Sequence, residues 1–357
     1  MHSNNLCNGS FYRLLGLILY VLSTPLMGNS TKDDTAIPFD DLSLEELLTL
    51  PIDPNTINIL ESHIHKAGEW MIGYKFKFMD MNGNLDGSSN RSTASILADF
   101  PITPTSMTME MHMASLMYAP TDDLTLMVMA PYKRLSMDHV NRSGRRFTTR
   151  SEGLGDVKAR VNYAIYRQPF DRHLVSVTGG LSFPTGSIEK KDDTPAGSNQ
   201  KLPYPMQLGS GTYDLLAGIS YVGLFDDWYW GLRTLGTVPL GKNNNKYRLG
   251  KRLEVSSWMT HQWTDWLSGS LRLDGQWWGN IDGADPDLNP LVISTADPNR
   301  RGGVRLDVLL GFDLFIPTGT IRGHRIGIEG GVPIYQSLDG PQLETDWQMT
   351  IGWQWLY

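Results

Sequence analysis

Beyond Ala67 the chain reads with a period of two. In the opening segment Trp70, Ile72, Tyr74, Phe76 and Phe78 fall on one parity, and Gly73, Lys75 and Lys77 on the other. Such alternation marks strands with one apolar and one polar face. Similar segments recur near 107–118, 124–132, 155–167, 173–183, 212–222, 228–239, 249–261, 267–277, 303–316, 324–333 and 345–357. Each is close to the 9–11 residues that a tilted strand needs to cross a bilayer. Short turns fall at Pro120 to Asp123, Gln168 to Arg172, Gly223 to Asp227, Gln262 to Trp266 and Pro317 to Gly323. Longer polar stretches separate them, at 80–106, 133–154, 184–211, 240–248, 278–302 and 334–344. Short and long alternate around the chain, the asymmetry of short periplasmic turns and long outer loops. The pattern predicts an all-β fold: a transmembrane antiparallel up-and-down β-barrel of about 12 strands, with both ends on one side.

Composition alone would suggest a soluble protein, with 40% apolar residues and a mean hydropathy of −0.27. Yet 11 Trp, 14 Tyr and 36 Gly are present, many inside the alternating segments. A barrel reconciles the two, because half of each strand faces lipid and half a wet lumen. A net charge of −7 with no basic stripe argues against nucleic acid. Cys7 is the single cysteine. Removal of the leader would leave no thiol, and with it no disulfide, thiolate metal site or cysteine nucleophile. Nothing calls for a cofactor.

Three regions are expected. Residues 1–29 read as a secretory leader, with Arg13 before the apolar run Leu14 to Leu22, then Pro25 and Gly28. Residues 30–68 read as a periplasmic segment with a short helix, Ser43 and Glu46 forming a capping box and Pro51 and Pro54 stopping it. Residues 69–357 form the barrel. In the final segment Trp347, Met349, Ile351, Trp353, Trp355 and Tyr357 share one parity. This looks like the terminal strand signal read by bacterial barrel-assembly machinery. The expected partners are therefore outer-membrane lipid, that machinery and a small-molecule solute, and the expected location is the bacterial outer membrane.

Lys or Arg facing lipid at mid-membrane costs roughly 2–4 kcal/mol, so charge fixes the inward parity. That rule turns inward Lys75, Lys77, Glu110, His112, Asp156, Lys158, Arg160, Asp214, Arg233, Glu254, Arg272, Asp274, Arg305, Asp307, Asp313, Arg325, Glu329 and Asp346. The signs are nearly balanced, which predicts a lumen crossed by ion pairs with weak charge preference.

Methionine and histidine offer a sharper chemistry, since thioether and imidazole suit soft ions such as Cu(I). Inward Glu110 and His112 would turn Met107, Met109, Met111 and Met113 toward lipid, as apolar filler. A residual metal reading rests on His112, Met127, Met129 and His139, without any known ligand spacing. His63 and His65 form a His-x-His pair read as solvated linker. No local enzyme motif is present. A hydrolase that uses His139 or His261 with a serine stays open.

The runs Met111-His112-Met113, Leu116 to Met127 and Pro131-Tyr132, with Gly153-Leu-Gly-Asp156-Val157 and Leu181-Ser-Phe-Pro184-Thr185-Gly186, carry a resemblance. They are similar to the outer-membrane transporters named for the meta-cleavage pathway of phenol degradation, from about residue 70 to the end. The resemblance implies a barrel that passes small aromatic or hydrophobic solutes, and it implies no catalytic residues. The sequence thus points to passive passage of small solutes. An outer-membrane hydrolase or a metal-handling barrel of a resistance system are the alternatives.

Overall fold

A computed structural model of the chain describes residues 64–168, 172–319 and 321–357. The expected leader, the short helix and His63 lie outside them. The strands are β1 (Trp70–Gly87), β2 (Ser89–Asn90), β3 (Ile102–Thr121), β4 (Leu124–Asn141), β5 (Arg146–Leu154), β6 (Val157–Arg167), β7 (His173–Phe183), β8 (Lys191–Thr194), β9 (Gly197–Lys201), β10 (Asp214–Phe225), β11 (Trp228–Pro239), β12 (Arg252–Thr264), β13 (Leu267–Trp278), β14 (Gly303–Phe315) and β15 (His324–Leu356). A short helix, α1 (Thr93–Asp99), is capped by Ser92, whose hydroxyl accepts from the Ser95 amide.

Eleven of these strands close a ring in the order β1-β3-β4-β6-β7-β10-β11-β12-β13-β14-β15, and β15 returns to β1. Every pairing is antiparallel. β15 pairs with β14 through residues 325–338 and with β1 through 338–356. Since β14 and β1 run in opposite directions, β15 must reverse near Leu338, so the wall has twelve passes. Full closure leaves no sheet edge, which is what a strand structure needs in hydrocarbon.

Burial is inverted relative to a soluble protein. Ile72, Leu116, Val128, Val161, Ile219, Leu271, Phe312, Ile328 and Val332 are exposed, whereas Thr125, Asn162, Thr260, Asp307 and Glu329 are buried. A continuous apolar outer surface is tenable only against lipid. Aromatic residues gather near the turns: Trp70 stacks on Tyr118, Trp228 on His261 and His324 on Trp355. His261 also approaches the carbonyl of Asp227 with its Nδ1, at 3.3 Å, which makes it part of this girdle.

Strand extent differs from expectation on the loop side. β1 runs to Gly87, β3 begins at Ile102, and residues 132–140 of β4 pair with β5 instead of looping. The hydrogen-bonded ladder continues past the membrane, but there neither face meets lipid. Polar residues such as Asp80, Asn82, Ser136 and Asp138 then take over the outer parity, and the apolar-out alternation vanishes from the sequence although the strand persists.

Candidate functional site

The candidate site is the lumen, whose two halves are built differently. On β12 to β15 the inner parity carries an ordered ion-pair network. Arg272 donates through Nε and Nη2 to Glu329 at 2.8 and 2.7 Å, and its Nη1 lies 3.2 Å from Asp274. Glu329 is directly opposite Gly311, where a Cβ would meet the Ser270 hydroxyl, so the missing side chain leaves room for this crossing. Asp274 also accepts from Ser256 and from Gln276, the latter at 2.8 Å. One strand on, the Arg305 guanidinium donates to Asp307 at 3.1 Å and to the Thr345 hydroxyl at 2.7 Å, while Gln348 donates to Asp307 at 2.7 Å. Asp274 and Asp307 are thus each held by a cation and at least one neutral donor, and Glu329 by two nitrogens of one guanidinium, the kind of pairing that buried charge requires. Arg325, Asp313 and Glu254 belong to the same half, which Arg233 on β11, 4.0 Å from Glu254, and Asp214 on β10 extend.

On β1, β3 and β4 the inner face is lined by thioethers. Residues directly opposite in paired strands share a face. Met71 is opposite Met117, and Met117 opposite Met127. The buried quartet Met71, Met117, Met127 and Met129 packs together, with Met113 beside it. Higher up, Met79 is opposite Met109, Met81 opposite Met107, and Met107 opposite Met137. Every methionine of these three strands lies on this one face, forming a track along the height of the lumen.

This corrects the parity expected for β3. Glu110 and His112 stand opposite Phe78 and Phe76, on the outer face, and the methionines between them point inward. The cost of outward charge is avoided by height. A tilted strand climbs roughly 2.5 Å per residue. Glu110, 11 residues from the end of β3 at Thr121, therefore stands roughly 28 Å up, beyond an apolar band about 25 Å tall. There it is opposite Arg134, which donates to Glu152 at 3.1 Å. His112, at the band's edge, shares a 2.7 Å hydrogen bond with the Tyr74 hydroxyl. Asp346 is exposed beside a register shift near Asp80 and is likewise not in the lumen. The lysines of β1 set the parity of β3 through its register, a signal that one strand read alone lacks.

Asp156 has a different task from lining. Its carboxylate accepts from the amides of Gly186 at 3.0 Å and Ser210 at 2.7 Å. The Thr185 hydroxyl donates to the Gly155 carbonyl at 2.8 Å and accepts from the Val157 amide at 2.9 Å. The Gly-Leu-Gly-Asp and Pro-Thr-Gly motifs are therefore two halves of one latch. A Cβ on Gly209 would collide with Asp156 and the Gly186 carbonyl, so the backbone can close only with glycine there. The latch holds segment 184–211 over the mouth, where Leu202, Met206 and Leu208 pack on Met107, Leu135 and Met137. Lys133 donates to the Leu208 carbonyl at 2.8 Å. Outside, Lys201 bonds Asp285 at 2.8 Å and Glu189 at 3.1 Å, and Tyr204 meets Tyr247 edge-on at 5.0 Å. Burial opposes the charge on Lys201, but these two carboxylates more than offset it and hold its amine above the usual lysine range.

The sign of the lumen is consequently uneven. Inner-parity charges of β1, β4 and β6 include Lys75, Lys77, Lys133, Lys158 and Arg160, and the carboxylate nearest to them in the chain, Asp156 just before β6, is taken up by the latch amides. The residues named for soft-metal binding are not brought together. Met127 and Met129 are in the track but opposite Arg160 and Lys158, whereas His112 is on the outer face. His139 stands in the β4–β5 extension and stacks on Phe147 at 4.8 Å.

No family model and no curated protein matches the sequence. Among solved structures, an outer-membrane channel from Pseudomonas putida F1 superposes on 86% of this chain and 100% of its own, with a TM-score of 0.59 at 14% identity. The shared architecture is an outer-membrane β-barrel. The translocator domain of the autotransporter NalP from Neisseria meningitidis aligns more loosely, over 83% of this chain and 91% of its own, with a TM-score of 0.42 at 9% identity. The β-domain of the Bordetella autotransporter BrkA does so over 82% and 100%, with a TM-score of 0.40 at 10% identity. With its lipid-facing belt, the barrel belongs in the bacterial outer membrane.

Proposed function

We propose that the protein is a passive outer-membrane channel for small solutes with an apolar or aromatic body. The observation that carries this reading is the methionine track on the inner face of β1, β3 and β4. Thioether side chains are flexible and polarizable, adapt to varied apolar shapes and make favourable contacts with aromatic rings. Lipid-facing positions on the same strands are filled by aromatic, Val, Ile and Leu residues instead, so simple filling of apolar space does not explain the segregation. The resemblance of the latch motifs to transporters of the phenol-degradation type points the same way, as does the fold shared with the channel from Pseudomonas putida F1. Single-channel recording in planar bilayers tests the reading. Ohmic steps that a neutral aromatic solute interrupts are expected. A purified, folded barrel that stays electrically silent overturns it.

A further inference from the structure

Resting on that reading, we infer that the preferred solute carries one negative charge, a carboxylate on an apolar or aromatic body, and that Lys77 holds it. Lys77 projects from the inner face of β1, opposite Met111 on one side and Thr350 on the other. Met79 is the next inner residue of the same strand. The ammonium therefore sits at the seam between the thioether track and the ion-pair network, within electrostatic reach of Arg272, Asp274, Arg305 and Asp307. Asp274 is taken by Arg272, Ser256 and Gln276, and one oxygen of Asp307, Oδ2, by Arg305 and Gln348, while its Oδ1 makes no hydrogen bond. Among the described residues Lys77 itself makes no hydrogen bond or ion pair.

Three features combine here. An apolar, adaptable surface accepts the body of the solute, and a half-buried ammonium beside it accepts an anion. Arg272 and Arg305 balance Asp274 and Asp307 around Lys77, so the positive inner charges of β1, β4 and β6 set the sign, which favours a carboxylate and repels an ammonium of the same shape. A phenolate or carboxylate would answer to the same chemistry, but only the carboxylate is fully ionised near neutral pH.

The probes are benzoate, benzyl alcohol and benzylammonium, close in size and differing in charge. Each is titrated at pH 7 against the current of the full chain in planar bilayers, and its half-blocking concentration read. Benzoate is expected to block at a concentration roughly tenfold or more below benzyl alcohol, with benzylammonium weakest. Lys77→Met is expected to erase the preference for benzoate and Lys77→Arg to retain it. Equal potency of benzoate and benzylammonium in the wild type overturns the inference without any variant, and so does a preference that survives Lys77→Met in a barrel still resistant to heat unfolding. If no probe interrupts the current, the channel reading falls together with this one. If benzyl alcohol blocks as well as benzoate, that reading stands and only the charge assignment fails.

Discussion

Trp70 and Tyr357 exchange both of their backbone hydrogen bonds: the Trp70 amide donates to the Tyr357 carbonyl at 2.9 Å and the Tyr357 amide to the Trp70 carbonyl at 2.8 Å. Residues at the two extremes of the strand region thus meet on the turn side, and the ladder above them runs through Gly73 and Gln354 to Phe78 and Met349. This seam makes the sheet a ring. Tyr357→Pro removes one donor of the pair, a loss worth roughly 0.5–1.5 kcal/mol. A lowered midpoint of heat-induced unfolding in detergent is expected; an unchanged midpoint would show that the last rung contributes nothing.

Arg272 compensates Glu329 and Asp274 at once. Arg272→Met leaves both buried carboxylates without their cation and should cost about 3–5 kcal/mol in denaturant unfolding. Adding Glu329→Met should recover much of that loss, because Asp274 keeps Ser256 and Gln276. A double-mutant cycle reads the coupling, and additive losses would contradict the network.

The latch predicts a gain in current. Asp156→Ala removes the acceptor for the Gly186 and Ser210 amides and should release segment 184–211 from the mouth. Larger or noisier conductance steps and faster proteolytic nicking between Ser187 and Leu208 are the expected readouts. Thr185→Val, which cannot bond Gly155 or Val157, should act in the same direction.

His139 gives the loop-side hairpin an acid sensitivity. Burial pushes its imidazole down to about 4, from an ordinary value of 6.5. With a depressed folded-state pKa, the hairpin's stability is fully present above pH 6.5 and falls as the pH drops toward about 4, because the unfolded segment binds the proton first. Protection of the β4–β5 amides from hydrogen exchange should fall over that interval, and His139→Asn should flatten the dependence.

The barrel was legible in the sequence because lipid imposes its period on every crossing. β7 and β11 are found where alternation put them. Legibility ended where lipid ends. Asp80 and Asp138 stand on strands that the pattern reads as loop, and Glu110 misled the parity of β3 because its height above the band was not encoded in alternation. The methionine face became visible only through register with Lys75 and Lys77. The latch between Asp156 and Gly186 joins motifs 30 residues apart, a distance that no local pattern spans.

A solute path along the methionine track requires the Met129 side of β4 to face the lumen. Single cysteines at Met129 and Val128, neighbours on opposite faces, decide it when labelled in proteoliposomes by a small water-soluble maleimide in competition with an aromatic solute. Labelling at Met129→Cys that the solute protects, with Val128→Cys inert to the reagent, is the predicted result. Reaction at Val128→Cys with Met129→Cys unprotected would contradict it.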